Sequence, residues 1–375
     1  MTIDFTKLAV EGVQSLRPYQ PGKPIDELAR EYDLDSNEIV KLASNENPLG
    51  PSEKVKQAIA QEIAELSRYP DGNGFELKKA LSDKLNVSMD QLTLGNGSSD
   101  ILEFIVKSFV GKGDEVIVSQ HAFAIYGLVT KMVGGSIVQV PAKNWGHDLE
   151  VMANAVTEKT KIIFVTNPNN PTGTWNTKAQ LEVFLRAVPE NVIVLLDEAY
   201  FEYVDQADYP NGIDYLGQYP NLVVTRTFSK AYGLASLRVG YGVSSAQLAD
   251  VMNRVRPPFN VDSFALAAAV ASVKDESYVR QSKELNDEGM AQLQAGFEQL
   301  NLTWIQSVGN FISFEVPSAD VEGGGAMEVY QSLLERGVIV RPVANYEMPN
   351  HLRVSIGTKQ ENERFLLELK TILAK

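Results

Sequence analysis

The chain has no cysteine. That excludes disulfides, thiolate nucleophiles and cysteine-ligated zinc or iron–sulfur centres. Histidine is nearly as scarce: His121, His147 and His351 are scattered and show no metal-ligand spacing. Positive charge is in deficit, with 34 Lys and Arg against 48 Asp and Glu, a net charge of −14. So acidic a chain repels nucleic acid and anionic membrane, and neither is expected as a partner. Small anions remain compatible, because a local arginine cluster overrides a global field. No stretch reaches the roughly 18 apolar residues of a membrane span. Asp4 and Glu11 interrupt the first apolar residues, and no basic segment precedes an apolar core. No signal peptide is read there, and the cytoplasm is the expected compartment. There is neither a G-x-S-x-G nucleophile elbow nor a P-loop.

What remains is a chain of 375 residues, long enough for a large core and a smaller second body. Three prolines between Arg17 and Pro24 forbid a helix there, so residues 1–35 read as an N-terminal arm. A helix is expected from about Ser52, with Val55, Ile59, Ile63 and Leu66 on one face. Leu77, Leu81 and Leu85 mark another, after the turn at 70–74. Short β-branched runs then alternate with helical stretches: 116–118, 137–138, 162–165, 192–196 and 222–224. Continuous apolar strands are buried on both faces, as in a mostly parallel sheet. The expected class is therefore α/β, with a large domain over 36–261. A smaller α+β domain is expected over 262–375, opening on a long helical region through Gln299. Its strands are expected near 311–314, 338–340 and 352–356. Gly323-Gly324-Gly325 reads as a surface loop.

Four motifs carry chemistry. Lys230 lies in Ser229-Lys230, just past the 222–224 run, with Arg238 eight residues on. An amine that has left a buried strand suits a Schiff base beside a bound phosphate; a solvated lysine is the plainer alternative. Gly95-Asn96-Gly97-Ser98-Ser99-Asp100 feeds a helix marked by Ile101, Leu102, Ile105 and Phe109. Free N–H groups at such a start suit a phosphate, and equally describe an ordinary capped helix. Asp100 replaces the last glycine of a dinucleotide fingerprint. Asn167-Pro168-Asn169-Asn170-Pro171-Thr172-Gly173 ends the 162–165 strand, where open α/β sheets bind ligands. Asp197-Glu198 ends the 192–196 strand. An acid there is costly to bury unless paired, and a cationic heterocyclic nitrogen would pair it; a solvated loop acid is the alternative.

As a set, in this order, these motifs resemble pyridoxal-phosphate enzymes of the aspartate-aminotransferase fold, fold type I. Arg17-Pro18-Tyr19, the segment 42–50 (LASNENPLG), Arg68-Tyr69-Pro70-Asp71, Val340-Arg341-Pro342 and the segment 352–358 (LRVSIGT) narrow the resemblance to the histidinol-phosphate aminotransferases. The resemblance implies pyridoxal 5′-phosphate held by a Schiff base at Lys230, with Asp197 on the ring nitrogen. Asn170 and Tyr200 would serve the ring hydroxyl, and Phe123 would stack on the ring, where tyrosine is common. Ser98, Ser99, Thr227, Ser229 and Arg238 would hold the phosphate. It implies a homodimer with shared active sites, in which Tyr69 reaches the partner's phosphate and Tyr19 comes from the partner's arm. Asn47, Arg341 and Arg353 would meet substrate, the two arginines binding the phosphate of histidinol phosphate and the carboxylates of glutamate and 2-oxoglutarate. The nearest alternatives are an aromatic amino-acid aminotransferase and, further off, a threonine-phosphate decarboxylase. A cofactor-binding regulatory module would not need an intact Lys230, Asp197 and Asn170.

Overall fold

Seven strands form the central sheet of the computed structural model, which describes residues 3–18, 21–317 and 325–374. After a short β1 (Val40–Lys41), these are β2 (Leu92–Asn96), β3 (Glu115–Ser119), β4 (Ser136–Val140), β5 (Thr160–Thr166), β6 (Ile193–Asp197), β7 (Leu222–Thr227) and β8 (Val239–Ser244). Their spatial order is β2-β8-β7-β6-β5-β3-β4. Only β8 runs antiparallel to its neighbours; the pairs from β7 to β4 are parallel.

The apolar runs explain this sheet. In β6, Val194 and Leu196 enter one hydrophobic cluster, while Ile193 and Leu195 enter another on the opposite face. Ile163 and Val165 of β5 alternate with Ile162 and Phe164 in the same way. Side chains alternate along a strand, so a strand covered on both faces must be apolar at every position. The helix Ser98–Phe109 covers one face with Ile101, Leu102 and Ile105. Leu77 and Leu81 of the helix Phe75–Leu85 join the other cluster.

A second body contains β9 (Phe311–Glu315), β10 (Val338–Ile339), β11 (Arg341–Pro342) and β12 (His351–Ser355). Strands β11-β12-β9 form an antiparallel sheet. The helices Glu276–Gln299, Gly325–Glu335 and Lys359–Leu373 pack Leu293, Phe297, Leu333 and Phe365 against Phe314 of that sheet. β1 pairs in parallel with β10, Val40 opposite Val338, so an early segment is built into this late body.

Several elements depart from the pattern read in the sequence. β2 and β8 give no apolar run, because glycines interrupt both. Those glycines admit a close approach: a Cβ on Gly240 would stand 2.3 Å from the Ser98 nitrogen. β7 continues past the apolar run through the buried Thr225, Arg226 and Thr227. The helical region after 262 is two helices, Ser263–Val273 and Glu276–Gln299. Gly323 and Gly324 lie outside the described residues, but Gly325 is the buried first residue of a helix rather than part of a surface loop. The helix Glu53–Glu62 buries Val55 as expected, yet Ile63 and Leu66 just beyond it stand exposed. Among the described residues no helix is long and apolar enough to cross a membrane.

Candidate active site

The carboxyl ends of β5, β6 and β7 converge on a cavity of about 300 Å³. Its lining from the large sheet comprises Ser98, Ser99, Phe123, Thr166, Asn170, Asp197, Tyr200, Thr227, Ser229, Lys230 and Arg238. Ala43, Ser44 and Asn45 close it from the segment after β1, and Arg341 and Arg353 from β11 and β12. The motifs, spread over most of the chain, thus meet in one place.

One part of the cavity has the donors that suit an anion. Gly97 caps the helix Ser98–Phe109 with φ +79, and the helix start leaves backbone N–H groups unspent. A Cβ at Gly97 would lie 2.4 Å from Arg238 Nη2, so only glycine lets the guanidinium approach the turn. Arg238 Nη1 donates to Ser229 Oγ at 3.2 Å and to the Ala235 carbonyl at 3.0 Å. Asp100 is turned away: its Oδ2 accepts from the Asn96 N–H and from Asn260 Nδ2. It braces the turn rather than opposing an anion.

Asp197 also lines the cavity and is 4% exposed. Tyr126 donates to its Oδ2 at 2.8 Å and Thr225 to its Oδ1 at 3.0 Å. Burial raises its pKa, and these hydroxyl donors act against that rise. Strand alternation sends the next acid the other way. Glu198 lies on the far side in a buried ion pair with Arg226, at 2.7 Å. The carboxylate in the cavity is therefore Asp197 alone of the two.

Lys230 Nζ donates to the Ser44 carbonyl at 3.2 Å. Burial, with Arg353 adding to it, pushes the Lys230 amine down to about 8. At pH 7 about a tenth of such an amine is neutral and nucleophilic, against roughly one part in a few thousand for an ordinary lysine.

β11 and β12 place Arg341 directly opposite Arg353. Directly paired residues project to the same face of an antiparallel pair, so two guanidiniums share one side of this sheet, where like charges repel. Arg353 Nη1 donates to Asn170 Oδ1, Nη2 donates to the Ala43 carbonyl at 2.8 Å, and the guanidinium lies 5.2 Å from the Phe311 ring centre. An anion between the two guanidiniums would relieve their repulsion.

Two expected residues lie elsewhere. Asn47 does not line the cavity. Its Nδ2 donates to the Ala231 carbonyl and to Ser282 Oγ, tying its loop to the helix Glu276–Gln299, so its amide is spent on structure. Tyr69 is 83% exposed, stacked at 4.7 Å on Phe259, and outside this chain's own cavity. Tyr19 lies outside the described residues; nearby Pro21 and Gly22 line this chain's cavity. Asn45, Tyr126, Thr166 and Thr225 also stand at the site. The available signal for Tyr126 was a lone hydroxyl on an otherwise apolar stretch.

Comparison with known proteins agrees with this geometry. The family profile "Aminotransferase class I and II" matches residues 37–369. The chain belongs to that family. Among curated aminotransferases, histidinol-phosphate aminotransferase 2 of Pseudomonas fluorescens Pf-5 is 56% identical over 375 residues, covering all of both chains. The enzyme of the same name from Pseudomonas aeruginosa is 57% identical over 371 residues, 99% of each chain. A solved aminotransferase structure, histidinol-phosphate aminotransferase from Sinorhizobium meliloti in complex with pyridoxal 5′-phosphate, superposes with a TM-score of 0.89. It is 27% identical and covers 97% of each chain. An aspartate aminotransferase from Thermus thermophilus with maleate, 23% identical, shares the fold with a TM-score of 0.82 over 96% of this chain and 98% of its own. The architecture is thus the aminotransferase α/β fold read from the motifs.

Proposed function

We propose that this aminotransferase transfers the amino group of L-histidinol phosphate to 2-oxoglutarate, giving imidazole-acetol phosphate and glutamate, with pyridoxal 5′-phosphate as cofactor. The observation that carries the substrate assignment is the Arg341–Arg353 pair facing a cavity that already holds Lys230 and Asp197. The donor set fits the cofactor. A glycine-opened helix start, Ser98, Ser99, Thr227, Ser229 and Arg238 suit a phosphate dianion, and the buried Asp197 suits a protonated ring nitrogen.

When bound, the cofactor supplies an electron sink and a temporary carrier for the amino group. Lys230 binds it covalently and afterwards moves a proton between the substrate Cα and the cofactor C4′. Its lowered pKa suits both tasks. Asp197 keeps the ring nitrogen protonated. Tyr200 and Asn170 hold the ring oxygen, and Phe123 covers a ring face. Arg341 and Arg353 grip the phosphate of one substrate and the carboxylates of the other, because a guanidinium fork fits either oxyanion. A phosphorylated substrate does not cross a bilayer unaided, which supports the cytoplasm as the compartment.

Arg341→Ala is expected to lower kcat/KM for histidinol phosphate about ten- to a hundredfold, the value of one hydrogen bond to a charged group. Phenylalanine and tyrosine as donors should lose less. Steady-state kinetics on the three donors decide it. Equal losses, with wild-type preference for the unphosphorylated donors, would move the assignment to an aromatic amino-acid aminotransferase. Carbon dioxide release without an oxo acid would mark a decarboxylase.

The working unit proposed is a homodimer. Ile63, Leu66, Tyr69, Phe75 and Phe259 all stand exposed, and Tyr69 and Phe259 stack into one apolar surface that a partner would cover. In the dimer Tyr69 would complete the partner's phosphate site. Mixing Lys230→Ala protein with Tyr69→Ala protein should then restore activity through hybrids carrying one intact site. With random exchange the ceiling is about a quarter of wild type. Verified hybrids with no recovery would show that each chain completes its own site. The division into arm, large domain and small domain, at about 35 and 261, is proposed on the same footing. The separate seven-stranded and three-stranded sheets support a large and a small domain, although β1 pairs across that division with β10.

A further inference from the structure

Asn45 holds a left-handed backbone, φ 54, and is 1% exposed. Its surroundings fix which way the amide faces. The Asn45 N–H donates to Ser355 Oγ at 2.8 Å, and the Ser355 hydroxyl donates back to Asn45 Oδ1 at 3.1 Å. Asn45 Nδ2 is left facing Tyr200, to whose hydroxyl oxygen it donates at 2.9 Å. Asn170 Nδ2 donates to the same oxygen at 3.1 Å.

A phenolic oxygen accepts at most two such bonds and carries one proton. With both acceptor directions taken, the Tyr200 proton is directed away from the two amides. Burial pushes the Tyr200 hydroxyl up to about 12, so that proton is retained at working pH. The Phe311 ring meets Tyr200 edge-on at 5.1 Å, which restrains the tyrosine ring.

We propose that Asn45 is a positioning residue that aims the Tyr200 hydroxyl proton into the cavity, at the ring oxygen of the bound cofactor. The inference rests on the cofactor reading above and extends it. Ser355 stands two residues beyond Arg353 on β12, so the strand that carries a substrate arginine also sets the Tyr200 proton through Asn45.

The test reads the pH midpoint of the absorbance of lysine-bound cofactor. A hydrogen bond donated to the ring oxygen makes it less basic. Losing that donor tightens the proton shared at the lysine nitrogen and raises the midpoint. Tyr200→Phe sets the reference shift, expected at about one pH unit upward. Asn45→Gly, which accepts a left-handed backbone and adds no charge, should shift the midpoint the same way by a sizeable part of that unit. Asn45→Asp keeps the size of the residue and its turn but offers an acceptor, so it should shift at least as far. Ser355→Ala should give a smaller shift of the same sign. In a Tyr200→Phe background Asn45→Gly should add nothing, which a merely structural role would not produce. Asn45→Gly and Asn45→Asp proteins that both titrate as wild type would overturn the role of Asn45 while leaving the cofactor reading intact. So would a shift that persists undiminished without the Tyr200 hydroxyl. Wild-type protein with no lysine-dependent band would overturn the cofactor reading, and this inference with it.

Discussion

Lys230→Ala protein is expected to lose at least about a thousandfold in turnover while still retaining the cofactor through its phosphate. General acid–base catalysis alone contributes about 10²–10⁴, and the same amine is the one proposed to make the covalent attachment. Single-turnover kinetics and the lysine-dependent absorbance measure the two losses separately. Normal transamination by this variant would remove Lys230 from the reaction. A stability effect accompanies the kinetic one. Burial lowers the Lys230 amine from the ordinary lysine value of 10.5 to about 8, so the charged amine is disfavoured by folding. That penalty is fully present below about pH 8 and is relieved as pH rises towards about 10.5. Cofactor-free Lys230→Met protein should therefore melt at a higher temperature than cofactor-free wild type at pH 7. The gap should close as pH rises through that window.

Asp197→Asn is expected to lower kcat by about 10²–10³, the range found when one electrostatic contact to developing charge is removed, with a smaller change in KM. The variant keeps the shape of the side chain and loses the negative charge proposed to hold the ring nitrogen protonated. It also leaves one of two hydroxyl donors, Tyr126 or Thr225, facing an NH₂ group. An unmade buried hydrogen bond costs about 1–3 kcal/mol, so a lowered Tm should appear beside the kinetic loss. A kcat equal to wild type would reduce Asp197 to a strand terminator.

The parts of the site that follow long apolar runs were legible in the sequence. Asp197 and the Asn167–Gly173 loop stand where buried strands stop, and a polar residue there has few structural reasons to exist. Lys230 was legible for the same reason, although its strand runs on to Thr227. β8 was not legible, because Gly240 and Gly242 replace the side chains that would have marked it; the close helix start excludes a Cβ there. The choice between Asn45 and Asn47 was illegible on other grounds. Both sit in one short polar motif, and the direction of each amide depends on a left-handed turn at Asn45 and on partners far along the chain. Tyr69 was legible only through its motif, since its proposed role needs a second copy of the chain.

The contact between Asn45 and Ser355 spans 310 residues of sequence. During synthesis at about 5–20 residues per second, roughly a quarter of a minute to a minute separates the emergence of its two halves. For most of that interval β1 lacks β10, and the cavity lacks the wall that carries both arginines. A nascent chain released before that point presents the proposed phosphate-binding turn and the Lys230 amine without the arginines proposed to select a substrate. The order of the polypeptide thus makes selectivity the last property this catalyst acquires.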